Sequence, residues 1–208
     1  MAANKIEGDL QVSGSVSAGG GFTGLSRSNL VTQTLVPYAI PATDWRTHDA
    51  LGALLPTTPA ADDLGIYGVG TVGTVWPYIW SGDVKTLNST RFASTLFKLP
   101  AEYVAGQAAR VRLRAGMRTN PASSACTLTV AVYRHNGDGA VSGSNLYAGS
   151  AIDINTVGIS DRDFDLSAGL LSPGDELFIR AAIAFNDAAT ATEVAALITQ
   201  TKLLLSIR

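Results

Sequence analysis

The sequence predicts an all-β protein, an antiparallel β-sandwich of jelly-roll type, and three features carry that expectation. Ala109–Arg118 and Cys126–Tyr133 alternate apolar and polar residues, the period of a strand with one buried face. Beyond Thr90, runs of about five to ten residues are separated by glycine, proline and asparagine turns. No segment shows the strand–helix–strand rhythm of a parallel sheet, and roughly eight strands without it fit a jelly roll. An immunoglobulin-like sandwich is the alternative, but the Cys–Trp–Cys signature of antibody domains needs two cysteines, and Cys126 is single.

The chain opens on a segment unlike the rest. From Ile6 to Ala18 every even position is apolar or glycine and every odd position is polar, which specifies an extended strand with one face for burial. Glycines at 8, 14 and 20 are each followed two positions later by Leu10, Val16 and Phe22, a six-residue repeat suited to stacking on copies or on a larger surface. Gly19–Gly24 and Ser26–Asn29 then read as a hinge. The expected organisation is an assembly arm over residues 1–29 and a sandwich body over 30–208, loop-rich between 42 and 90.

Within the body, Leu30–Ile40 reads as β and is closed by Pro41. Ala42–Asp63, with its scattered prolines, reads as irregular, with one helical turn at Leu51–Leu55. Gly65–Gly73 is expected to be a tight loop or a glycine-bent strand. Strands are expected at Arg91–Leu99, Ala109–Arg118, Cys126–Tyr133, Ala151–Thr156, Asp161–Ser167, Glu176–Phe185 and Thr199–Ile207. The last should place Thr199, Thr201, Leu203, Leu205 and Ile207 on one face. Ala188–Ala196 is the one plausible helix.

Composition narrows the function. Hydrophobic residues make up 46% of the 208 and charged residues 15%, against about 25% charged in ordinary domains. A charge-poor surface is expected to be covered by neighbouring subunits. No apolar run approaches the roughly 20 residues of a membrane span, so membrane insertion is not expected. The opening residues lack the basic region, apolar core and cleavage site of a signal peptide, so none is expected. The net charge of −2 gives no global reason to expect nucleic acid. Cys126, in the apolar phase of its strand, reads as inert core.

Two constellations stand out. Arg110, Arg112, Arg114 and Arg118 share one face of a strand, and Asp161, Asp163 and Asp165 alternate on another. If those strands are neighbours, the acids neutralise the basic stripe by inter-strand or inter-subunit ion pairs; otherwise it would suit nucleic acid, though without the aromatics a single-strand binder needs. Trp76-Pro77-Tyr78-Ile79-Trp80, with proline inside and glycines nearby, reads as a loop or edge strand. Its Trp76, Tyr78 and Trp80, and more weakly Trp45, suit a core, a subunit interface or a sugar-stacking surface. Catalytic, zinc, calcium-loop and phosphate-loop patterns are not found, so no enzyme activity, metal or cofactor is expected.

The opening Ile6-Glu7-Gly8-Asp9-Leu10-Gln11-Val12-Ser13-Gly14-Ser15-Val16 resembles segments of tailed-bacteriophage fibres and other virion appendages. Ala109–Arg208, with Leu171-Ser172-Pro173-Gly174-Asp175-Glu176-Leu177 before its penultimate strand, is similar in pattern to jelly-roll capsid decoration and fibre-head domains. This resemblance implies a non-enzymatic virion structural protein made in the bacterial cytoplasm. It would be a homotrimer bound to a capsid or tail protein through Ile6, Gly8, Leu10, Val12, Gly14, Val16 and Phe22. A fibre or receptor-binding head that contacts host-surface carbohydrate is the alternative.

Overall fold

Ten strands follow one another along the body in the computed structural model, which describes residues 35–49, 51–59, 62–68, 76–135, 143–189 and 191–207. The chain divides into two units, Met1–Gln33 and Thr34–Arg208, and every described residue belongs to the second. The arm residues Ile6, Gly8, Leu10, Val12, Gly14, Val16 and Phe22 lie outside the described residues.

The strands are β1 (Leu35–Ile40), β2 (Gly65–Tyr67), β3 (Tyr78–Trp80), β4 (Asn88–Lys98), β5 (Ala109–Met117), β6 (Ala125–Arg134), β7 (Ile152–Asp153), β8 (Ser160–Asp165), β9 (Glu176–Asn186) and β10 (Ala196–Ser206). One sheet runs β2-β3-β10-β5-β8, with β1 also on β10; the other runs β4-β9-β6-β7. All named strand pairs are antiparallel. From β3 to β10 the chain changes sheet at every step except β6 to β7, so the orders 3-10-5-8 and 4-9-6-7 interleave. That is the jelly-roll connection.

Period-two patterning builds the core between the layers. Val111, Leu113, Leu203, Leu205 and Phe164 come from one sheet, and Leu128, Val132, Leu177, Ile179 and Ile183 from the other, all buried. Cys126 lies among them, and burial pushes its thiol up to about 12. Pro37 is tolerated because β1 is bonded to β10 alone.

The structure departs from the sequence expectation at four places. Ala188–Ala196 forms no helix among its described residues. Its end enters β10, and the Val194 N–H and carbonyl are committed to Asp83 and Val84. Leu51–Leu55 is not helical either: Leu54 bridges Arg46, and the short 3-10 turn lies upstream at Ala42–Asp44. Tyr78–Trp80 is not an edge strand but is paired on both sides, by β2 and β10. Pro77 is no obstacle because it precedes the first paired residue. Finally, Ile198 faces Ala115 while Gln200 faces Arg114, so Thr199 is the extra residue of a β-bulge. The inward phase therefore shifts from Ala196 and Ile198 to Thr201, Leu203 and Leu205, and Thr199 leaves that face.

Candidate functional site

The outer face of β5 carries the arginine stripe, and β8 lies directly beside it. Register pairs Arg110 with Asp165, Arg112 with Asp163 and Arg114 with Asp161. Arg112 donates Nε to Asp163 Oδ1 at 2.6 Å and Nη2 to Oδ2 at 2.7 Å, while Arg110 donates to Asp163 at 2.8 Å and to Asp165 at 2.5 Å. Arg114 reaches Asp161 at 3.4 Å. These bonds, Arg112's first, hold the Asp163 carboxyl below its ordinary range, and they raise the Arg110 and Arg112 guanidiniums. Three cations meet three anions within the chain, which leaves no basic stripe for a phosphate backbone.

Arg118 does not join this ladder. β8 pairing stops at Ala115, and Gly158 and Ile159 lie against Gly116. Arg118 instead pairs with Glu193 at 3.2 Å and lies over the Tyr67 ring, 4.7 Å from its centroid. Tyr67 stacks on Tyr78 at 5.1 Å and meets Trp80 edge-on at 5.0 Å. Register explains the grouping: Tyr67 opposes Tyr78, with Ile66 and Ile79 turned into the core. Burial pushes the Tyr78 hydroxyl up despite the nearby Arg118. The faces of this cluster are largely occupied by one another.

The remaining tryptophans part company. Trp45 is 1% exposed and belongs to the core, so neither a sugar nor a partner reaches it. Trp76 is 82% exposed, the largest exposure among the described large hydrophobic residues. It stands at a slot created by strand geometry. On one edge of β10, β3 pairs with Leu197 and Ile198, and β1 pairs with Thr201 to Ser206. The bulge at Thr199 and Gln200 falls between them. The resulting cleft, about 260 Å³, has Trp76 and Pro77 on one side and Ile40 to Ala42 on the other, with Thr199, Gln200 and Lys202 from β10.

Drug-sized pockets begin near roughly 300 Å³, so this slot suits one ring-sized group. Its chemistry is an indole face beside an amide, a hydroxyl and an ammonium. Thr199 Oγ1 already donates to the Arg114 carbonyl at 3.2 Å, leaving Gln200 and Lys202, whose side chains have no hydrogen bond or ion pair among the described residues, as the polar ends at the cleft. Trp76 was visible in the sequence as a candidate; Gln200 and Lys202 were not singled out. The available signal was the broken alternation at Ile198-Thr199-Gln200-Thr201, which marks the bulge.

No family model and no curated protein matches the chain. Among solved structures, the second xylan-binding domain (CBM22-2) of Xyn10C from Paenibacillus barcinonensis aligns with a TM-score of 0.43 and 9% identity over 82% of this chain and 98% of that one. A xylan-binding module, CBM15, aligns with a TM-score of 0.40 and 9% identity over 84% and 99%. The K1 cleaved adhesin domain of Lys-gingipain from Porphyromonas gingivalis aligns with a TM-score of 0.38 and 14% identity over 82% and 97%.

Proposed function

We propose that the body is a non-catalytic carbohydrate-binding module whose site is the slot beside Trp76. The observation that carries this reading is a tryptophan left 82% exposed at the mouth of a cleft that also presents Gln200 and Lys202. A pyranose ring has an apolar C–H face and a rim of hydroxyls. An indole packs the face, and an amide and an ammonium bind the rim. Hydrolysis of a glycosidic bond usually needs two carboxyl groups flanking it, and the described residues lining the slot include no Asp, Glu or His. Binding without turnover is the chemistry this residue set supports.

The test is a glycan array followed by calorimetry on the best ligand with wild type and Trp76→Ala. Loss of one stacking contact worth about 1.4 kcal/mol weakens binding about tenfold, with Tm unchanged because Trp76 is not in the core. Equal affinity of the two proteins would refute the site, and no bound glycan would refute the reading.

A second proposal, attachment to a virion through residues 1–29, rests on the Ile6–Phe22 repeat. Full-length protein should decorate particles, and protein lacking 1–29 should fold but not bind. Native mass of both forms tests the homotrimer: three copies in each would mean the body assembles itself.

A further inference from the structure

The loop between β1 and β2 brings together three side chains that the proposed sugar site does not use. Trp45 plugs the core, and Arg46 next to it exchanges backbone hydrogen bonds with Ser94 of β4 at 2.8 and 3.0 Å. This places His48 over Phe92, with ring centroids 4.7 Å apart. From the other end of the loop, the Asp62 carbonyl accepts from the Phe92 N–H at 2.7 Å, and the Leu64 N–H donates to the Phe92 carbonyl at 2.8 Å. Both strands of the loop are thus pinned to neighbouring rungs of β4. His48 Nδ1 lies 3.3 Å from Asp63 Oδ1, and Nε2 lies 3.5 Å from Asp62 Oδ2. One nitrogen and one oxygen from each carboxylate all fall within 4.8 Å of one another.

Charge and hydrogen count show what this arrangement lacks. An ionised carboxylate only accepts hydrogen bonds, and a neutral imidazole has one N–H and one lone pair. With a carboxylate at each ring nitrogen, the neutral ring can satisfy one and must point its lone pair at the other. Among the described residues, neither Asp62 nor Asp63 has a Lys or Arg ion-pair partner. A cation held in the cluster would offset its two carboxylates. A divalent ion makes it neutral.

We propose that His48, Asp62 and Asp63 form a binding site for a divalent transition metal of the zinc type. Imidazole with two carboxylates suits zinc and its neighbours, whereas calcium and magnesium take oxygen ligands only. Donors sharing one tetrahedral zinc stand about 3.4 Å apart at bond lengths near 2.1 Å. An imidazole binds one ion through one nitrogen: with Nδ1 as the ligand, Asp63 Oδ1 at 3.3 Å is already at that spacing, and the Asp62 carboxylate swings round from Nε2 to complete the set. Asp62, with its side chain 55% exposed, has room to make that movement, while His48 and Asp63 are 17% and 22% exposed. Three protein ligands leave a fourth position for water. Bound metal would staple the loop to β4, and that loop begins at Pro41 and Ala42, one wall of the Trp76 slot.

The experiment is calorimetric titration of the untagged full chain with Zn²⁺ at neutral pH, with Co²⁺ absorbance as a coordination signature and Tm in EDTA as the metal-free reference. Expected are one Zn²⁺ per chain, proton release on binding, and a Tm higher by several degrees at about a hundredfold excess over Kd. His48→Gln and Asp63→Asn should each remove the stoichiometric heat and the Tm rise while keeping the EDTA Tm close to wild type. If a variant fails to fold, Asp62→Asn, at the exposed ligand, gives the same readout with less risk. Stoichiometric binding that survives all three substitutions would overturn the site. So would the absence of both a stoichiometric Zn²⁺ heat and a Zn²⁺ effect on Tm in the wild-type chain. The readouts use no sugar, so they stand or fall apart from the carbohydrate reading.

Discussion

Arg112 and Asp163 meet across β5 and β8 as a two-pronged pair, Nε to Oδ1 at 2.6 Å and Nη2 to Oδ2 at 2.7 Å. Arg110 adds a third donor to the same carboxylate at 2.8 Å. Such a fork fixes direction as well as distance, so it also favours one register of β8 on β5. The pair is about 30% exposed on each side, which places it between a surface pair and a buried one.

Replacing Asp163 with Asn should cost about 1 kcal/mol of stability, because it removes a partner from two arginines. The pH dependence has a definite sign. Asp163 is held below its ordinary 3.8 in the fold, so its contribution is complete above that value and is lost as pH falls through the lower folded value. Urea unfolding of wild type and Asp163→Asn should differ at neutral pH, and the difference should shrink as the pH falls below 3.8. A difference that persisted in acid would assign the effect to packing.

Cys126 is 0% exposed, and burial pushes its thiol up to about 12. The thiolate is the reactive form, so the native protein should not react with a thiol reagent on the minutes timescale. Reaction should appear with unfolding in urea and follow the same midpoint. Fast labelling of native protein would mean β6 opens locally.

Gly116 faces the chain segment that ends the β5–β8 pairing. A Cβ there would stand 2.7 Å from the Gly158 carbonyl oxygen and 3.2 Å from Ile159 Cα, both backbone atoms that cannot rotate away. Gly116→Ala should destabilise by about 1–3 kcal/mol. Gly169→Ala meets nothing within 4 Å and should change stability little. Thermal melts of the two variants side by side check this.

Tyr67 is the hub of the outer aromatic cluster, in contact with Tyr78, Trp80 and Arg118. Tyr67→Ala should lower stability by about 1–3 kcal/mol through lost ring and cation contacts. Binding at the Trp76 slot should be unaffected, since Tyr67 does not line it. A loss of glycan affinity in this variant, at unchanged fold, would move the sugar site to the cluster.

Much of the body was determined by the sequence itself. Where one face of a strand is buried, side chains must alternate, so β5, β6 and β9 were legible from residues such as Val111, Leu113, Leu128 and Val132. The same alternation placed four arginines and three aspartates on single faces. What only the tertiary structure decided depends on which strands become neighbours, and local pattern does not encode that. It set Arg112 on Asp163 but sent Arg118 to Glu193 and Tyr67, because the β5–β8 pairing stops at Ala115, three residues short of Arg118. It drew Trp45 inside and left Trp76 outside, although both are tryptophans in irregular stretches. The Ala188–Ala196 helix, weak on propensity for its Thr and Val content, yielded to the sheet contacts of Val194 and Ala196. The Trp76 slot exists because β1 and β3 share one edge of β10 and a bulge falls between them. His48 finds Asp62 and Asp63 because β4 pins both ends of a loop that carries no periodic signal of its own.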